Sequence, residues 1–314
     1  MTDGAGELLT YLGPPGSFTH SAVDMLAVPW VGEVSPRASV PDVIFSVEAG
    51  EAAAGIVPLE SSVEGDVSST IDELIFRSSI CFINEELVVP ISYVVVGLAG
   101  ARAAGVRRLI TTQAAAAQCR RFIESSGAEL TLVESVSEAC ARVAGQDDPA
   151  VAAIASAKAG RLHALAVLRG VAEDHSGVAT RMAVLRRKPA PATGHDTTAV
   201  VVTPVGDRTG VLADILACFS SRDIALTSIS SRRLRTRLGE YCFLLTARGH
   251  LADSRIREAL ACAARVPAEV KILGCYPLNP AVSEGRIGEF PPPGSVGAAT
   301  LDSWIDSLLE HKAP

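Results

Sequence analysis

Short apolar runs alternate with amphipathic stretches along the first half of the chain. The runs are bounded by turn or hydroxyl residues, as buried strands are, and the stretches between them have the apolar spacing of helices. The runs are residues 8–12, 55–58, 107–111 and 150–155, and a β-branched run at 87–98 indicates one long strand or two. Strands that alternate with helices predict an α/β fold with an open, mainly parallel sheet and helices on both faces.

Each predicted helix begins close behind a strand. The first follows a turn at 13–16, with Ser17 or Thr19 as its cap, and the second begins near Asp66 after a polar loop at 59–65. The apolar positions of the second helix are Ile71, Leu74 and Ile75, those of a third are Ala117, Cys119, Phe122 and Ile123, and a fourth runs from Ser156 to Leu162. Because ligands bind at the carboxyl ends of such strands, the loops 13–19 and 58–65 are expected to be neighbours.

The second half of the chain predicts a separate, smaller domain. Residues 188–196 are rich in Pro, Ala and Gly without periodicity, which is typical of a linker. Beyond it the order βαββαβ predicts a ferredoxin-like domain at 197–277, with Leu212, Leu216 and Phe219 facing inward from its first helix. Residues 278–314 form a Pro/Gly-rich tail with a short helix predicted near Leu301 to Leu309.

Composition narrows the classes of function. With 314 residues, 48% hydrophobic and 20% charged, the chain is expected to form about two globular domains. The formal net charge of -7 argues against a nucleic acid partner. No signal segment and no apolar run long enough to span a bilayer is present, so we expect a cytoplasmic protein without a membrane partner. Seven cysteines without a C-x-x-C pair indicate reduced thiols and no metal site.

A polar pair, Thr180 and Arg181, stands immediately before the apolar run Met182 to Leu185. Such a pair at the mouth of a strand is able to aim donors into a cleft while the strand holds it in place. Taken alone, the pair is more often the solvated start of a strand. Beside the two loops at the strand ends, it becomes the expected edge of an anion-binding cleft.

Three motifs at these places resemble, in order and spacing, those of prephenate dehydratase. They are YLGPPGSF at 11–18, VPLESSVEG at 57–65 and TRM at 180–182, beside the family patterns GPxGTF, VPxENSxEG and TRF. The segment 197–277 resembles the ACT regulatory domain that follows the catalytic part in this family. Its matching places are Gly210-Val211-Leu212, Ser231-Arg232, Gly239-Glu240-Tyr241 and 273–277.

The resemblance implies a two-lobed, periplasmic-binding-protein-like catalytic domain at 8–187. Lobe 1 would hold residues of about 8–90 and 169–187, and lobe 2 those of about 91–168. ACT domains of this family pair across subunits, so a homodimer or homotetramer is implied. The implied effector is L-phenylalanine, bound by Gly210, Val211, Leu212, Ser231 and Arg232.

The implied reaction converts prephenate to phenylpyruvate, CO2 and water in phenylalanine biosynthesis, without a cofactor. Aromatisation drives it, so the enzyme has to hold a dianion and assist the departure of hydroxide. On the resemblance, Thr180 would hydrogen-bond the leaving hydroxyl, and Arg181 would bind a substrate carboxylate or lock the loop. Ser61 completes the implied catalytic set, and the implied substrate-binding residues are Ser17, Phe18, Thr19, Glu60, Ser62 and Thr112.

Several positions depart from the family patterns and indicate a divergent member. Ser61 replaces an Asn, Met182 replaces a Phe, and TTQA at 111–114 replaces SHPQ. In the second domain, Ser230 and Arg233 replace the Glu and Pro of ESRP, and Thr209 replaces the Pro of PGAL. Two alternatives stay open at this point: a relative that decarboxylates prephenate and keeps the ring hydroxyl, and a non-catalytic amino-acid sensor. Arogenate as a substrate is also left open.

Overall fold

The computed structural model describes residues 7–170, 172–174, 177–206, 208–234, 240–266, 268–280, 295–297, 300–301 and 304–305. In these residues the strands are β1 (Glu7–Leu12), β2 (Gly32–Arg37), β3 (Ala54–Ser61), β4 (Gly65–Asp66), β5 (Phe82–Pro90), β6 (Val94–Gly97), β7 (Arg108–Thr111), β8 (Glu129–Leu132), β9 (Val151–Ala155), β10 (Ala166–Arg169), β11 (Ala179–Arg186), β12 (Asp196–Pro204), β13 (Leu226–Arg233), β14 (Tyr241–Arg248) and β15 (Ala268–Pro277).

The helices are α1 (Phe18–Val23), α2 (Val40–Glu48), α3 (Ser68–Phe76), α4 (Gln113–Gln118), α5 (Arg120–Ser126), α6 (Val136–Gln146), α7 (Ala157–Leu162), α8 (Val211–Ser220) and α9 (Ser254–Arg265). A short 3-10 helix spans Ala103–Gly105. Serine hydroxyls cap four of the early helices, because each accepts a bond from a free backbone N–H of the first turn. These caps are Ser17, Ser39, Ser135 and Ser156. None of the helices in the described residues is long and apolar enough to cross a membrane.

The strands form two sheets that divide the catalytic part into two lobes. Lobe 1 contributes β5, β11, β3, β1 and β2, in that order, with β4 paired to β3, and lobe 2 is the separate sheet β10-β6-β9-β7-β8. Both sheets are mixed rather than mainly parallel, because the chain leaves lobe 1 through β5 and returns through the antiparallel strand β11. In lobe 2, β6 is the first strand after the chain enters and β10 is the last before it leaves, and these two strands pair antiparallel.

Apolar residues cover both faces of the lobe 1 sheet. One face carries Leu9, Ile56, Val89, Met182 and Val184 under α1. The opposite face packs under α2 and α3, where Ile71, Leu74 and Ile75 are buried as predicted. The predicted third helix is divided into α4 and α5 at Cys119, and the predicted loop 59–65 is largely strand, since β3 continues to Ser61 and turns back as β4.

The βαββαβ order of the second domain is present as β12, α8, β13, β14, α9 and β15. Its sheet does not stand apart, because β15 pairs with β5 and joins it to the sheet of lobe 1. Gly274 makes this contact possible, since a Cβ there would lie 2.4 Å from the carbonyl oxygen of Ile83. On α8, Ile215 and Cys218 are buried with Phe219, while Leu212 and Leu216 pack at the margin of this core.

Residues 280–314 form a second unit. Its described residues include a helical turn in which the N–H of Trp304 donates to the carbonyl of Thr300 at 3.0 Å. The remainder of the helix predicted near Leu301 to Leu309 lies outside the described residues. All seven cysteines of the chain are free thiols, and six of them are buried. Burial raises the pKa of Cys81 to about 12, which keeps this thiol protonated.

Candidate active site

Four chain segments meet at one edge of the lobe 1 sheet. The loop 13–17 follows β1, Ser61 ends β3, Pro90 ends β5, and Thr180 lies near the start of the antiparallel strand β11. The register fixes this edge, because Thr180 pairs with Ser61 on one side and with Val89 on the other. The sequence prediction that the two loops and Thr180 are neighbours is therefore confirmed by the strand pairing.

Hydroxyl groups line this edge. The N–H of Ser62 donates to the carbonyl of Ala179 at 2.9 Å, and the N–H of Ala179 donates to the hydroxyl of Ser62 at 3.1 Å. Ser61 accepts bonds from the N–H groups of Val63 and Glu64 and so shapes the turn that follows. Thr180 is half-buried, and no group in the described part of the chain engages its hydroxyl. Its hydrogen-bonding capacity is left for another molecule.

The side chain of Arg181 points to the opposite face of β11. Successive residues of a strand alternate between faces, and Thr180 shares its face with Met182, whereas Arg181 turns toward the ferredoxin-like domain. There its guanidinium forms ion pairs with Glu60 of β3 and Glu86 of β5. The hydroxyl of Tyr276, on β15, donates to the same carboxylate of Glu86 at 2.8 Å.

Burial and charge act in opposite directions on this network. Burial alone would lower the pKa of Arg181, but the carboxylates of Glu86 and Glu60 outweigh it, so the pKa is raised and the guanidinium stays charged. Burial, together with the Glu86 charge, also raises the pKa of Tyr276 well above its usual 10.0. The tyrosine is therefore a permanent donor. Glu86 is 3% exposed at its side chain, and Arg181 and Tyr276 are the partners of its buried carboxylate.

The loop between β1 and α1 is held by its own side chains. Ser17 caps α1 by accepting from the N–H of His20, and its hydroxyl donates to the carbonyl of Leu12 at 3.2 Å. The N–H of Gly16 donates to Nδ1 of His20 at 3.0 Å, and the imidazole stacks on Tyr11. Burial, followed by the positive charge of Lys158, lowers the pKa of His20, so the acceptor nitrogen stays unprotonated.

Lobe 2 contacts this loop directly. The Ser156 hydroxyl donates to the Gly16 carbonyl at 2.7 Å, and Nζ of Lys158 donates to the His20 carbonyl at 2.9 Å. Phe18 packs against the cores of both lobes and meets Tyr93 edge to face at 5.4 Å. The two lobes thus approach each other at the edge that carries Thr180.

The remaining residues that the resemblance implied for substrate lie around this junction. Thr112 caps α4 in lobe 2, accepting from the N–H of Ala115 at 3.2 Å. Thr19 is buried on α1, and Glu60 is engaged by Arg181 on the face away from Thr180. The strand pairing places Ser61 and Ser62 beside Thr180, whereas the carboxylate of Glu60 pairs with Arg181 on the other face of β11.

The residues implied for an effector lie on the ferredoxin-like domain. Gly210 begins α8 with a φ of +87°, a conformation that favours glycine, and Val211 is buried behind it. Tyr241 borders one depression with Gly210 to Leu212 and a second with Ser231 and Arg232. Arg232 also reaches lobe 1, where it forms an ion pair with Asp66 at 2.8 Å and donates to Ser68 at 3.0 Å.

Comparison with known proteins identifies the group to which this arrangement belongs. The family model for prephenate dehydratase matches residues 9–190. The prephenate dehydratase of Mycobacterium marinum is 33% identical over 97% of this chain and 96% of its own length. The chain belongs to the prephenate dehydratase family. Members of the family are lyases, and the match covers the two lobes and β11.

Two solved structures extend the similarity beyond the residues that the family model matches. The prephenate dehydratase of Arthrobacter aurescens, in complex with L-Phe, has a TM-score of 0.78 at 32% identity and covers 96% of this chain and 99% of its own. A quorum-quenching acylase, GqqA, has a TM-score of 0.77 at 25% identity and covers 87% of this chain and 99% of its own. The prephenate dehydratase fold therefore includes the ferredoxin-like domain.

Four residues that were not predicted from the sequence support the predicted site residues. Glu86 and Tyr276 are the partners of Arg181, and Ser156 and His20 hold the loop 13–17. A buried glutamate inside the apolar strand β5 was a detectable signal, because such a charge requires a partner. The identity of that partner was not detectable, since Tyr276 is 190 residues away in sequence.

Proposed function

We propose that this chain catalyses the conversion of prephenate to phenylpyruvate, CO2 and water at the edge of lobe 1 that carries Thr180. The observation that carries the proposal is the hydroxyl of Thr180, which no group in the described part of the chain engages and which lies on β11 opposite Ser61 of β3. Family membership supports the same reaction. A hydroxyl held by two neighbouring strands is preorganised, so it costs little to orient in the transition state.

The hydroxyls at this edge differ in whether their protons are available to a substrate. In the described residues, the hydroxyls of Ser61, Ser62 and Thr112 accept backbone N–H bonds and leave their own protons unused. The hydroxyl of Ser17 already donates to the Leu12 carbonyl, so its proton is not available to a substrate. We therefore assign Ser61, Ser62 and Thr112 to substrate hydrogen bonding, with Ser17, Phe18 and Thr19 shaping the loop around it.

Departure of the ring hydroxyl is the step that needs help. The ring gains aromaticity as the carboxylate leaves as CO2, and the hydroxyl leaves with the electron pair of its C–O bond. Thr180 would donate a hydrogen bond to this oxygen as negative charge develops on it. Its hydroxyl is too weak an acid to transfer the proton fully, so solvent water supplies the proton that converts the departing hydroxide to water. Of the two roles implied for Arg181, its ion pairs support holding β11 rather than binding a substrate carboxylate.

Incubation of the purified chain with prephenate tests the reaction. We expect phenylpyruvate, measured by its absorbance in alkali, and CO2 in equal amounts. A product that keeps the ring oxygen and lacks aromatic absorbance would favour the decarboxylase reading, and binding without turnover would favour the sensor. Hydrolysis of an amide substrate without turnover of prephenate would instead place the activity with the acylase neighbour.

We further propose that the ferredoxin-like domain is an ACT domain that binds L-phenylalanine. The complex of the Arthrobacter aurescens relative with L-Phe supports this, and the depressions beside Tyr241 contain Gly210, Val211, Leu212, Ser231 and Arg232. Calorimetry with L-phenylalanine, and sedimentation with and without it, would measure binding and the proposed homodimer or homotetramer. Absence of heat at millimolar phenylalanine would contradict the effector proposal.

A further inference from the structure

The ferredoxin-like domain reaches the carboxylate of Glu86, on β5, through the side chain of Tyr276. It is 1% exposed and lies at the end of β15, the strand that joins the two sheets. Its hydroxyl is the donor at 2.8 Å to the carboxylate of Glu86, and the nearby Asn279 side chain donates to the Glu86 carbonyl at 2.9 Å. Tyr276 and the segment just beyond β15 thus hold both the side chain and the backbone of Glu86.

Glu86 in turn holds the residue next to Thr180. Its carboxylate pairs with Nη2 of Arg181, while Nη1 of Arg181 pairs with Glu60. The guanidinium fork therefore ties β5 to β3 across β11, one residue from the catalytic hydroxyl. The strand register shifts at this point, because Arg181 pairs with Glu60 but Met182 pairs with Pro58. A shifted strand end has fewer ladder bonds to fix it, so side-chain contacts gain importance there.

We propose that Tyr276 is a positioning residue for the reaction at Thr180, acting through the Glu86 carboxylate and the Arg181 guanidinium. The inference rests on the proposed function of Thr180 and adds to it a contribution from the second domain. Loss of the tyrosine hydroxyl leaves Glu86 with one fewer donor, and Arg181 is then free to adopt more than one arrangement. The start of β11 loosens, and the Thr180 hydroxyl spends less time in its productive position.

A double-mutant cycle tests the route of this effect. Tyr276→Phe keeps the buried ring, and we expect it to lower kcat roughly 3- to 10-fold with little change in KM. This is less than the full value of a hydrogen bond to a charged group, because the lost bond acts on Thr180 only through Glu86 and Arg181. In the Thr180→Ala background the same change should lower kcat by less than about twofold, because there is no hydroxyl left to align. Glu86→Gln should act in the same direction and more strongly. Equal losses in both backgrounds, or a Tyr276→Phe enzyme with unchanged kcat, would overturn the proposal.

A control and a second readout separate positioning from simple destabilisation. Thr198→Val removes a buried hydroxyl that bonds to Gly249 within the same domain, and it should leave kcat unchanged. Hydrogen exchange followed by mass spectrometry should show faster exchange in peptides that contain Thr180 to Met182 for Tyr276→Phe, but not for Thr198→Val. Unchanged exchange would overturn the proposal whatever the kinetics. An inactive wild type would count against the dehydratase reaction alone, since the exchange result still decides how Tyr276 acts.

Discussion

The two faces of β11 use their polar groups in opposite ways. On the face that Thr180 shares with Met182, Thr180 and Ser61 lie opposite each other, and the Thr180 hydroxyl has no partner in the described part of the chain. On the face toward the ferredoxin-like domain, Arg181 is bound by two carboxylates. We refer to these as the cleft face and the anchored face. The hydroxyls on the cleft face are thus carried by strands that ion pairs hold in place on the anchored face.

The anchored face is also where the second domain attaches. A cavity between the domains is bordered by Glu60, Asp66, Arg181 and Tyr276. Nearby, Nζ of Lys271 donates at 2.6 to 2.7 Å to three carbonyls at the end of α3, those of Leu74, Ile75 and Ser78. These polar contacts hold the second domain against lobe 1, with which it shares a sheet, whereas the cleft face is bordered by loops. The fixed side chains and the accessible hydroxyl therefore lie on opposite faces of β11.

Removal of the anchor should give the largest loss of stability. Arg181→Met leaves Glu86 buried beside Tyr276 alone and Glu60 unpaired, so we expect the free energy of unfolding to fall by about 3 kcal/mol. Denaturant titration measures it. Arg120→Met is a matched control, because the pair of Arg120 with Glu124 is exposed and should be dispensable. Similar stability of the two variants would remove the contrast between the faces.

Acid should weaken the loop between β1 and α1, which His20 holds beside the cleft face. Burial and Lys158 lower the pKa of His20 from its ordinary 6.5, so the folded state binds fewer protons than the unfolded state. Its contribution to stability is complete above about pH 6.5 and is lost as the pH falls below that value, with a slope of at most about 1.4 kcal/mol per pH unit.

The variant His20→Asn isolates this contribution. Its side-chain oxygen is able to accept the N–H of Gly16 in place of Nδ1, and it does not titrate between pH 5 and 7. Denaturant midpoints measured across that range should therefore vary less in the variant than in the wild type. Parallel pH curves for the two proteins would show that His20 does not carry the acid sensitivity.

The smallest loss of stability is expected for the partly exposed ion pair between Asp66 and Arg232, at the margin of the anchored face. The carboxylate of Asp66 is 31% exposed and pairs with Arg232, which is 17% exposed. Asp66→Asn should lower the free energy of unfolding by less than about 1 kcal/mol, because partly exposed pairs are screened by water. Asp214→Asn, which breaks the more exposed pair with Arg208, should cost less again. If Asp214→Asn lowered the free energy of unfolding more than Asp66→Asn, the hydrogen bond to Ser68 rather than the ion pair with Asp66 would be the main contact of Arg232.

Local patterns predicted much of this architecture, and long-range contacts account for what they missed. Apolar spacing located α3, and hydroxyl caps located α1 and α7, because both signals lie within a few residues. The loop predicted at 59–65 is mostly strand, since pairing with β11 overrides its polar composition. Adjacency of Thr180 and Arg181 in sequence suggested a shared role, yet alternation along the strand places them on different faces. The pairing of Glu86 with Tyr276 follows from no local pattern, because the two residues are 190 positions apart.

The measurement that tests the account most directly is kcat with prephenate for Thr180→Ala and Thr180→Ser beside the wild type. Both variants leave the ion pairs of Arg181 intact, so folding should be unaffected. We predict a loss of about 100-fold or more for alanine, as for removal of one preorganised donor, and a serine enzyme within about tenfold of the wild type, because it keeps the hydroxyl. An alanine variant within about tenfold of the wild type would contradict the assignment of the cleft face to catalysis.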